Sequence, residues 1–144
     1  MELRVRVSHK ISILSFDAPK IWILFTFKIT LCVSRQIIFY GNHFMDFYSR
    51  QDKKVQEKIQ YVFQMIQSVE KVPEKFLKHL TGTDGLYEIR IEVRSDIFRV
   101  FCCFDKGKLV VLFNGFQKKT QKTPSGELDK AVKLMKAYFN TKDI

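Results

Sequence analysis

Apolar residues recur at two different spacings along this chain, and the changes of spacing divide it into elements. The run "QIIFYGN", closed by Gly41 and Asn42, predicts a short buried strand that leads into a short helix. After Asp52, a residue type that caps helices, the spacing becomes helical and predicts a long helix ended by Val72–Pro73. The apolar positions of that helix are Val55, Ile59, Val62, Phe63, Ile66 and Val69.

The second half of the chain alternates instead, which is typical of strands. In "LYEIRIEV" the apolar side chains fall on one face and Glu88, Arg90 and Glu92 on the other. The runs "IFRVFCCF" and "LVVLFNGF" follow after short turns, so the three strands are predicted to form an antiparallel meander. Between the helix and these strands, "PEKFLKHL" is predicted to form one or two further helical turns. A last helix is predicted from Thr123–Pro124.

This order of elements predicts an α+β fold. We expect a small antiparallel sheet with the N-terminal helices packed on one face and a C-terminal helix. A length of 144 residues fits one domain with its own core. We assign residues 37–144 to that domain and interpret residues 1–36 as an N-terminal extension, which predicts that the domain folds and acts without them.

The extension contains the apolar stretch "IWILFTFKITLCV", residues 21–33, which has three interpretations. The first is an upstream segment without a selected structure. The second is a strand or helix added to the core, since β-branched and aromatic residues suit a strand. The third is a targeting signal, although no small-residue cleavage site follows. The stretch is shorter than the ~20 apolar residues of a spanning helix and is interrupted by Lys28, so no membrane span is expected.

Charge narrows the classes of partner. The net charge is +10, and five lysines but no acid lie between Lys106 and Thr123. A local lysine cluster on a basic protein suits RNA, DNA or an acidic protein. The alternative is a basic domain whose lysines only keep it in solution.

Other chemistries lack their usual residue patterns. The three cysteines, Cys32, Cys102 and Cys103, form no framework spacing, which indicates a reducing, cytoplasmic compartment. The sequence contains no CxxC or HExxH motif, no GxGxxG and no P-loop. No metal or cofactor is therefore expected.

Arg99 is the only charge in an apolar central strand. Because a buried unpaired guanidinium is too costly, Arg99 either pairs with a carboxylate such as Glu88 or Glu92, or opens onto a groove.

Two blocks of the sequence carry a resemblance to a known family. "GLYEIRIEVRSDIFRVFCCF" followed by "VVLFNGFQKKTQKTPSGELDKA" resembles the phage-derived, HigB-like branch of the RelE/ParE toxin superfamily. The resemblance covers the segment from about Ile37 to Tyr138. Members show a G-L-[YW]-E-[LI]-R strand, an R-[VI]-[FY] strand, and a strand that runs into K-K-T-x-K-T-P before a helix.

The resemblance implies a RelE-like fold and a toxin that acts as a ribosome-dependent endoribonuclease on mRNA. Its partners would be the ribosome, mRNA and a cognate antitoxin, expected to be a helix-turn-helix protein. By match to the motifs, Arg99 and Arg90 would hold the scissile phosphate. Lys118 and Lys119 would bind the RNA backbone or stabilise developing charge, and Lys122 would contact ribosomal RNA.

The groups that would move protons are less defined by the sequence. A lysine in a cationic cluster is one candidate base. His79 is a candidate acid, base or RNA contact, and Phe116 is a candidate to stack on a base or to fill the core. The last helix offers Tyr138 but no histidine. The alternative function is a non-catalytic RelE/ParE-like binding protein, such as a gyrase inhibitor or an inactive phage-derived relic.

Overall fold

The computed structural model of the protein describes residues 11–13, 34–119 and 123–142, the first of these as backbone only. Within these ranges the chain forms six strands and three helices. The strands are β1 Ile11–Ile13, β2 Gln36–Tyr40, β3 Leu77–His79, β4 Leu86–Val93, β5 Asp96–Asp105 and β6 Leu109–Lys118. The helices are α1 His43–Tyr48, α2 Lys53–Ser68 and α3 Ser125–Asn140.

The strands form one mixed sheet in the order β1-β2-β6-β5-β4-β3. The α+β class is confirmed, and so is the antiparallel meander of β4, β5 and β6. The pair β2–β6 is parallel, which the expectation of an antiparallel sheet did not include. A parallel pair requires a long connection, and here the chain from α1 to β5 supplies it.

The helices cover opposite faces of the sheet. On one face, α1 and α2 pack on residues such as Ile89, Phe98 and Val100. On the other face, α3 packs on Phe101 and Phe113. Because side chains alternate along a strand, each residue of β4 and β5 belongs to one of these two layers.

The end of helix α2 is held by a residue that precedes the predicted domain boundary. Asp52 caps the start of α2, with its Oδ1 atom 2.9 Å from the amide nitrogen of Val55, as its residue type predicts. At the other end the guanidinium of Arg35 donates to the carbonyl oxygens of Ile66, Val69 and Glu70 at 2.6–2.8 Å. These carbonyls have no partner within the helix, so Arg35 supplies one.

The boundary at residue 37 stays a prediction, but residues before it take part in the fold. Gln36 is the first residue of β2, and Ile11–Ile13 pairs with that strand as β1. The stretch at 21–33 lies outside the described residues, so its three interpretations stay open.

The prediction of helical turns in "PEKFLKHL" is wrong for Leu77–His79. These residues form β3, the edge strand next to β4. Local helix propensity gives way because β4 offers a ladder of backbone hydrogen bonds, whereas one or two isolated turns are only marginally stable.

Candidate functional site

The two arginines singled out from the sequence lie directly opposite one another in the sheet. Arg90 on β4 and Arg99 on β5 are cross-strand partners, and Phe116 on β6 is opposite Arg99. The neighbours of Arg99, Phe98 and Val100, belong to the α1/α2 layer. By alternation, the row Arg90–Arg99–Phe116 therefore lies on the face that carries α3.

One carboxylate lies against both arginines. The Oε1 atom of Glu88 is 3.0 Å from Nε of Arg90 and 3.2 Å from Nε of Arg99. The Arg90 contact is a hydrogen bond, whereas the Arg99 contact has the distance of an ion pair but not the direction of a hydrogen bond. Like charges directly opposite each other are unfavourable, and Glu88 offsets that repulsion.

Arg99 is almost withdrawn from solvent. Only 6% of the residue is exposed, and its Nη1 atom donates to the backbone oxygen of Phe98 at 3.0 Å. Burial lowers the pKa of Arg99, and the charge of Glu88 opposes that effect. An arginine starts from so high a pKa that it stays protonated at neutral pH. Of the two alternatives in the sequence, pairing with Glu88 is confirmed.

Arg90 is the more accessible of the two, with 28% of its side chain exposed. Its Nε donates to Glu88, and within the described part of the chain no acceptor is bonded to its Nη atoms. Two guanidinium groups against one carboxylate leave a net charge of +1 in this cluster, which we call the arginine pair. A positive site with free donors can bind an anion.

The lysines extend this positive charge along β6. Lys118 is the last residue of β6, is half-buried and lies opposite Ile97. It is two residues beyond Phe116, so the alternation puts it on the same face as the arginine pair. Lys119 follows the strand and is exposed. Lys122 lies outside the described residues.

Phe116 is a buried aromatic residue next to the arginine pair. It is 7% exposed, and its ring centroid is 5.5 Å from that of Phe101 in the α3 layer. The structure therefore gives Phe116 a place in the core beside Arg99.

His79 is not brought together with the arginine pair. Its ring packs edge-on against Tyr87, with the centroids 5.0 Å apart, and Tyr87 packs in turn on Phe104. Tyr87 and Phe104 belong to the α1/α2 layer. The His79 ring thus lies on the opposite face of the sheet from Arg99.

A cleft of about 230 Å³ lies between the end of β3, the β3–β4 loop and the start of α3. Its lining includes Lys78, His79, Thr81 and Thr123, with Leu80 and Leu128 as apolar walls. Lys78 is the cross-strand partner of Glu88, so the cleft is one strand away from that carboxylate. The cleft thus combines one lysine and threonine hydroxyls with apolar walls.

A second polar cluster ties the end of α3 to the sheet. The hydroxyl of Tyr138 donates to Oδ2 of Asp105 at 2.8 Å, and Lys142 also contacts that oxygen. The hydrogen bond from Lys142 lowers the pKa of Asp105, and burial together with Asp105 raises that of Tyr138. Asp105 is six residues from Arg99 on β5, or about 20 Å. Tyr138 is therefore separate from the arginine pair.

The described residues contain no group of histidine, cysteine and acidic side chains arranged to hold a metal ion. Cys102 and Cys103 are both buried free thiols, and burial raises the pKa of Cys103 to about 12. Among the described helices, none has the length and apolar character needed to cross a membrane.

The fold and site define a small α+β protein with a basic sheet face, and comparison with known families identifies its class. The family described as Phage derived protein Gp49-like (DUF891) matches residues 46–136. The match takes in more than half of the chain, which therefore belongs to this family, a member of the RelE/HigB-type toxin superfamily. No curated protein matches the sequence significantly.

Sequence reasoning found the arginines but gave Glu88 only the role of a possible partner. The alternation of β4 already put Glu88 and Arg90 on one face. The sequence contained no sign that one carboxylate oxygen would serve both arginines, because that depends on the register of β4 against β5.

Proposed function

We propose that this protein is the toxin of a type II toxin–antitoxin system, of the HigB-like kind, and that it is a ribosome-dependent endoribonuclease that cleaves mRNA. Its partners are the ribosome, mRNA and a cognate antitoxin of the helix-turn-helix class. Membership of the Gp49-like family is compatible with a toxin of this type. The observation that carries the proposal is the arginine pair, two guanidinium groups held side by side by one buried carboxylate.

The arginine pair suits phosphoryl-transfer chemistry on RNA. In such cleavage the 2′-oxygen attacks the adjacent phosphorus, and negative charge grows on the phosphoryl oxygens. Fixed guanidinium donors stabilise that charge without having to reorganise during the reaction. Lys118 and Lys119 extend the positive surface along the RNA backbone and contribute to binding.

The proposal is tested by pulsed expression of Arg99→Ala beside the wild-type protein. We expect wild type to arrest growth and cleave mRNA on ribosomes, and Arg99→Ala to do neither at equal expression. Arg99→Lys loses most of the activity as well, because an ammonium cannot reproduce the planar fork of a guanidinium. Arg50→Ala is the matched control, since Arg50 is an exposed arginine just after α1.

Thermal denaturation of each variant separates a catalytic loss from a folding defect. An Arg99→Ala protein that is folded and still as toxic as wild type contradicts the proposal. Growth arrest with intact mRNA and a DNA-damage response instead supports a ParE-like gyrase inhibitor.

A further inference from the structure

Glu88 has one carboxylate oxygen that no described residue occupies. Its Oε1 atom contacts both Nε atoms of the arginine pair, whereas no described residue donates a hydrogen bond to Oε2. The residue is buried, at 4% exposure, so its position is fixed by its surroundings. We propose that Glu88 is the general base of the reaction and that its Oε2 atom accepts the proton of the attacking 2′-hydroxyl. This inference rests on the proposed function.

His79 and Tyr138, two other candidates for proton transfer, are poorly placed for this role. The ring of His79 lies on the other face of the sheet, against Tyr87. Tyr138 donates to Asp105, which is six residues, or about 20 Å, along β5 from Arg99. Arginine itself has no acceptor and is not deprotonated in proteins. Glu88 is the described carboxylate in contact with both guanidinium groups.

The geometry brings the base and the phosphate ligands together. Arg90 and Arg99 each direct Nε toward Glu88, and Nη1 of Arg99 donates to the backbone oxygen of Phe98. The donors proposed for a phosphate are therefore the Nη atoms of Arg90 and Nη2 of Arg99, which belong to the same two guanidinium groups that contact the carboxylate. A general base has to come within hydrogen-bond reach of the hydroxyl that it deprotonates, and this arrangement supplies that distance.

The proposed step balances without a cofactor. Glu88 takes the proton of the 2′-hydroxyl, and the electron pair of the 2′-oxygen forms a new bond to phosphorus. The bond from phosphorus to the 5′-oxygen breaks, its electron pair stays on that oxygen, and a water supplies the proton. The hydroxide left from the water takes the proton from Glu88. The products are a 2′,3′-cyclic phosphate and a 5′-hydroxyl.

Charged groups lie on the strand of Glu88 and on both neighbouring strands. They are Lys78 on β3, Arg90 and Glu92 on β4 and Arg99 on β5, whereas Lys118 on β6 and Glu127 at the start of α3 belong to elements that do not pair with β4. In the proposed reaction, the cations among these groups hold the phosphate beside the carboxylate. A direct measurement of proton transfer is therefore needed to separate the base from a residue that only positions the arginines.

The experiment measures single-turnover cleavage of a defined mRNA on programmed ribosomes. Glu88→Gln keeps the size of the side chain and a hydrogen-bond acceptor but removes the base, and we expect cleavage to slow by about 10²- to 10⁴-fold. The matched control is Glu92→Gln, on the same strand and face but exposed, for which we expect less than a threefold change. Ribosome binding and thermal denaturation are measured on each protein.

Rescue of Glu88→Ala by added anions distinguishes a general base from a residue that only positions the arginines. Acetate and formate are added at equal ionic strength, with nitrate as a weakly basic anion of similar size. We expect acetate to restore cleavage more than formate does, because it is the stronger base, and nitrate to restore none. If nitrate restores cleavage as well as acetate does, or if none of the three anions restores it, the assignment of Glu88 as the general base is overturned.

The two proposals fail in different ways. If Glu88→Gln cleaves at the wild-type rate while Arg99→Ala is inactive, the endoribonuclease stands and the general base is elsewhere. If the wild-type protein leaves the RNA intact, the proposed function is overturned and the role of Glu88 with it.

Discussion

Individual side chains show where this protein accepts unfavourable interactions. Arg90 and Arg99 are like charges directly opposite each other, and Arg99 is nearly excluded from water. A pair of apolar residues would fill the same space without the desolvation cost of a buried ion pair. A feature that lowers stability locally is expected at a functional site, which agrees with the role proposed for the arginine pair.

Gly115 is required by the close approach of a helix to the sheet. A Cβ atom at this position would lie 2.4 Å from Cδ1 of Phe47, whose ring also packs near Phe98. We predict that Gly115→Ala lowers the free energy of unfolding by about 1–3 kcal/mol, because the core has to shift to admit the methyl group. Chemical denaturation measures the change.

Two further proteins test the reason for that loss. Gly126→Ala is the control, since its added Cβ meets no atom within 4 Å and should cost nothing. Adding Phe47→Leu to Gly115→Ala should recover part of the loss if the ring is the obstacle. Full additivity of the two substitutions would show that the clash is not the cause.

At the level of elements, α3 is fixed to the sheet at both ends. Near its start, Nδ2 of Asn114 donates to a side-chain oxygen of Glu127 at 2.7 Å, and at its end Tyr138 and Lys142 contact Asp105. The chain between β6 and α3 is therefore connected at each end to a fixed element. Lys118 and Lys119 lie at the first of these ends.

The contact of α3 with Asp105 predicts a pH-dependent stability. The native-state pKa of Asp105 is lowered, so its contribution is present above the unfolded value of about 3.9 and is lost as the pH falls through the native value. Asp105→Asn should lower the free energy of unfolding by about 1–3 kcal/mol at pH 7. The difference between the wild-type and variant values should narrow below about pH 4 and disappear only below the lowered native-state pKa of Asp105.

Urea denaturation between pH 3 and pH 7 measures both curves. Asp129→Asn is the control, because Asp129 is an exposed carboxylate on the same helix. A constant difference between wild type and Asp105→Asn across this range would mean that the charge of Asp105 does not stabilise α3.

The lysines at the end of β6 should act in binding. Lys118→Glu combined with Lys119→Glu is predicted to abolish ribosome association and toxicity while leaving the melting temperature unchanged. Losing a phosphate contact also reduces the log–log salt slope of binding by roughly 0.7 on single strands. Binding isotherms at several salt concentrations give that slope.

The control for these lysines reverses the same number of charges on α3. Lys130→Glu with Lys133→Glu changes two exposed residues of that helix and should leave ribosome binding largely intact. If both double variants weaken binding equally, net charge is responsible and the end of β6 has no special role.

At the scale of the whole molecule, Arg35 divides the N-terminal extension into a part that the fold uses and a part that we expect to be dispensable. We predict that removing residues 1–34 leaves a folded and toxic protein, because Arg35 then still reaches the end of α2. Removing residues 1–36 also deletes Arg35 and Gln36, so the end of α2 loses its donor and the melting temperature should fall further. Circular dichroism and pulsed expression compare the two truncations.

Arg35→Met in the full-length chain separates the guanidinium from the rest of the extension. It should lower the free energy of unfolding by about 0.5–1.5 kcal/mol, because the partly buried carbonyl oxygen of Ile66 and the exposed carbonyl oxygens of Val69 and Glu70 lose their donor. If the protein lacking residues 1–34 is insoluble while the full-length protein is active, then β1, or a segment outside the described residues, belongs to the core.

The alternation and helical spacing in the sequence were enough to predict α2, α3, the meander and the α+β class. They also put Glu88 and Arg90 on one face of β4 and isolated Arg99 on β5. This succeeds because the period of apolar residues along an element is set by its own backbone geometry. The face of a side chain is therefore readable from its near neighbours in the chain.

The contacts between elements could not be predicted from the sequence and became known only from the tertiary structure. The opposition of Arg90 and Arg99, their common carboxylate and the parallel pair β2–β6 each depend on strand register or strand order. The change of Leu77–His79 from an expected helix to β3 has the same origin. A one-residue shift of register would leave every local sequence pattern intact and yet separate these groups. The register is selected by the packing of the entire core, which no local pattern contains.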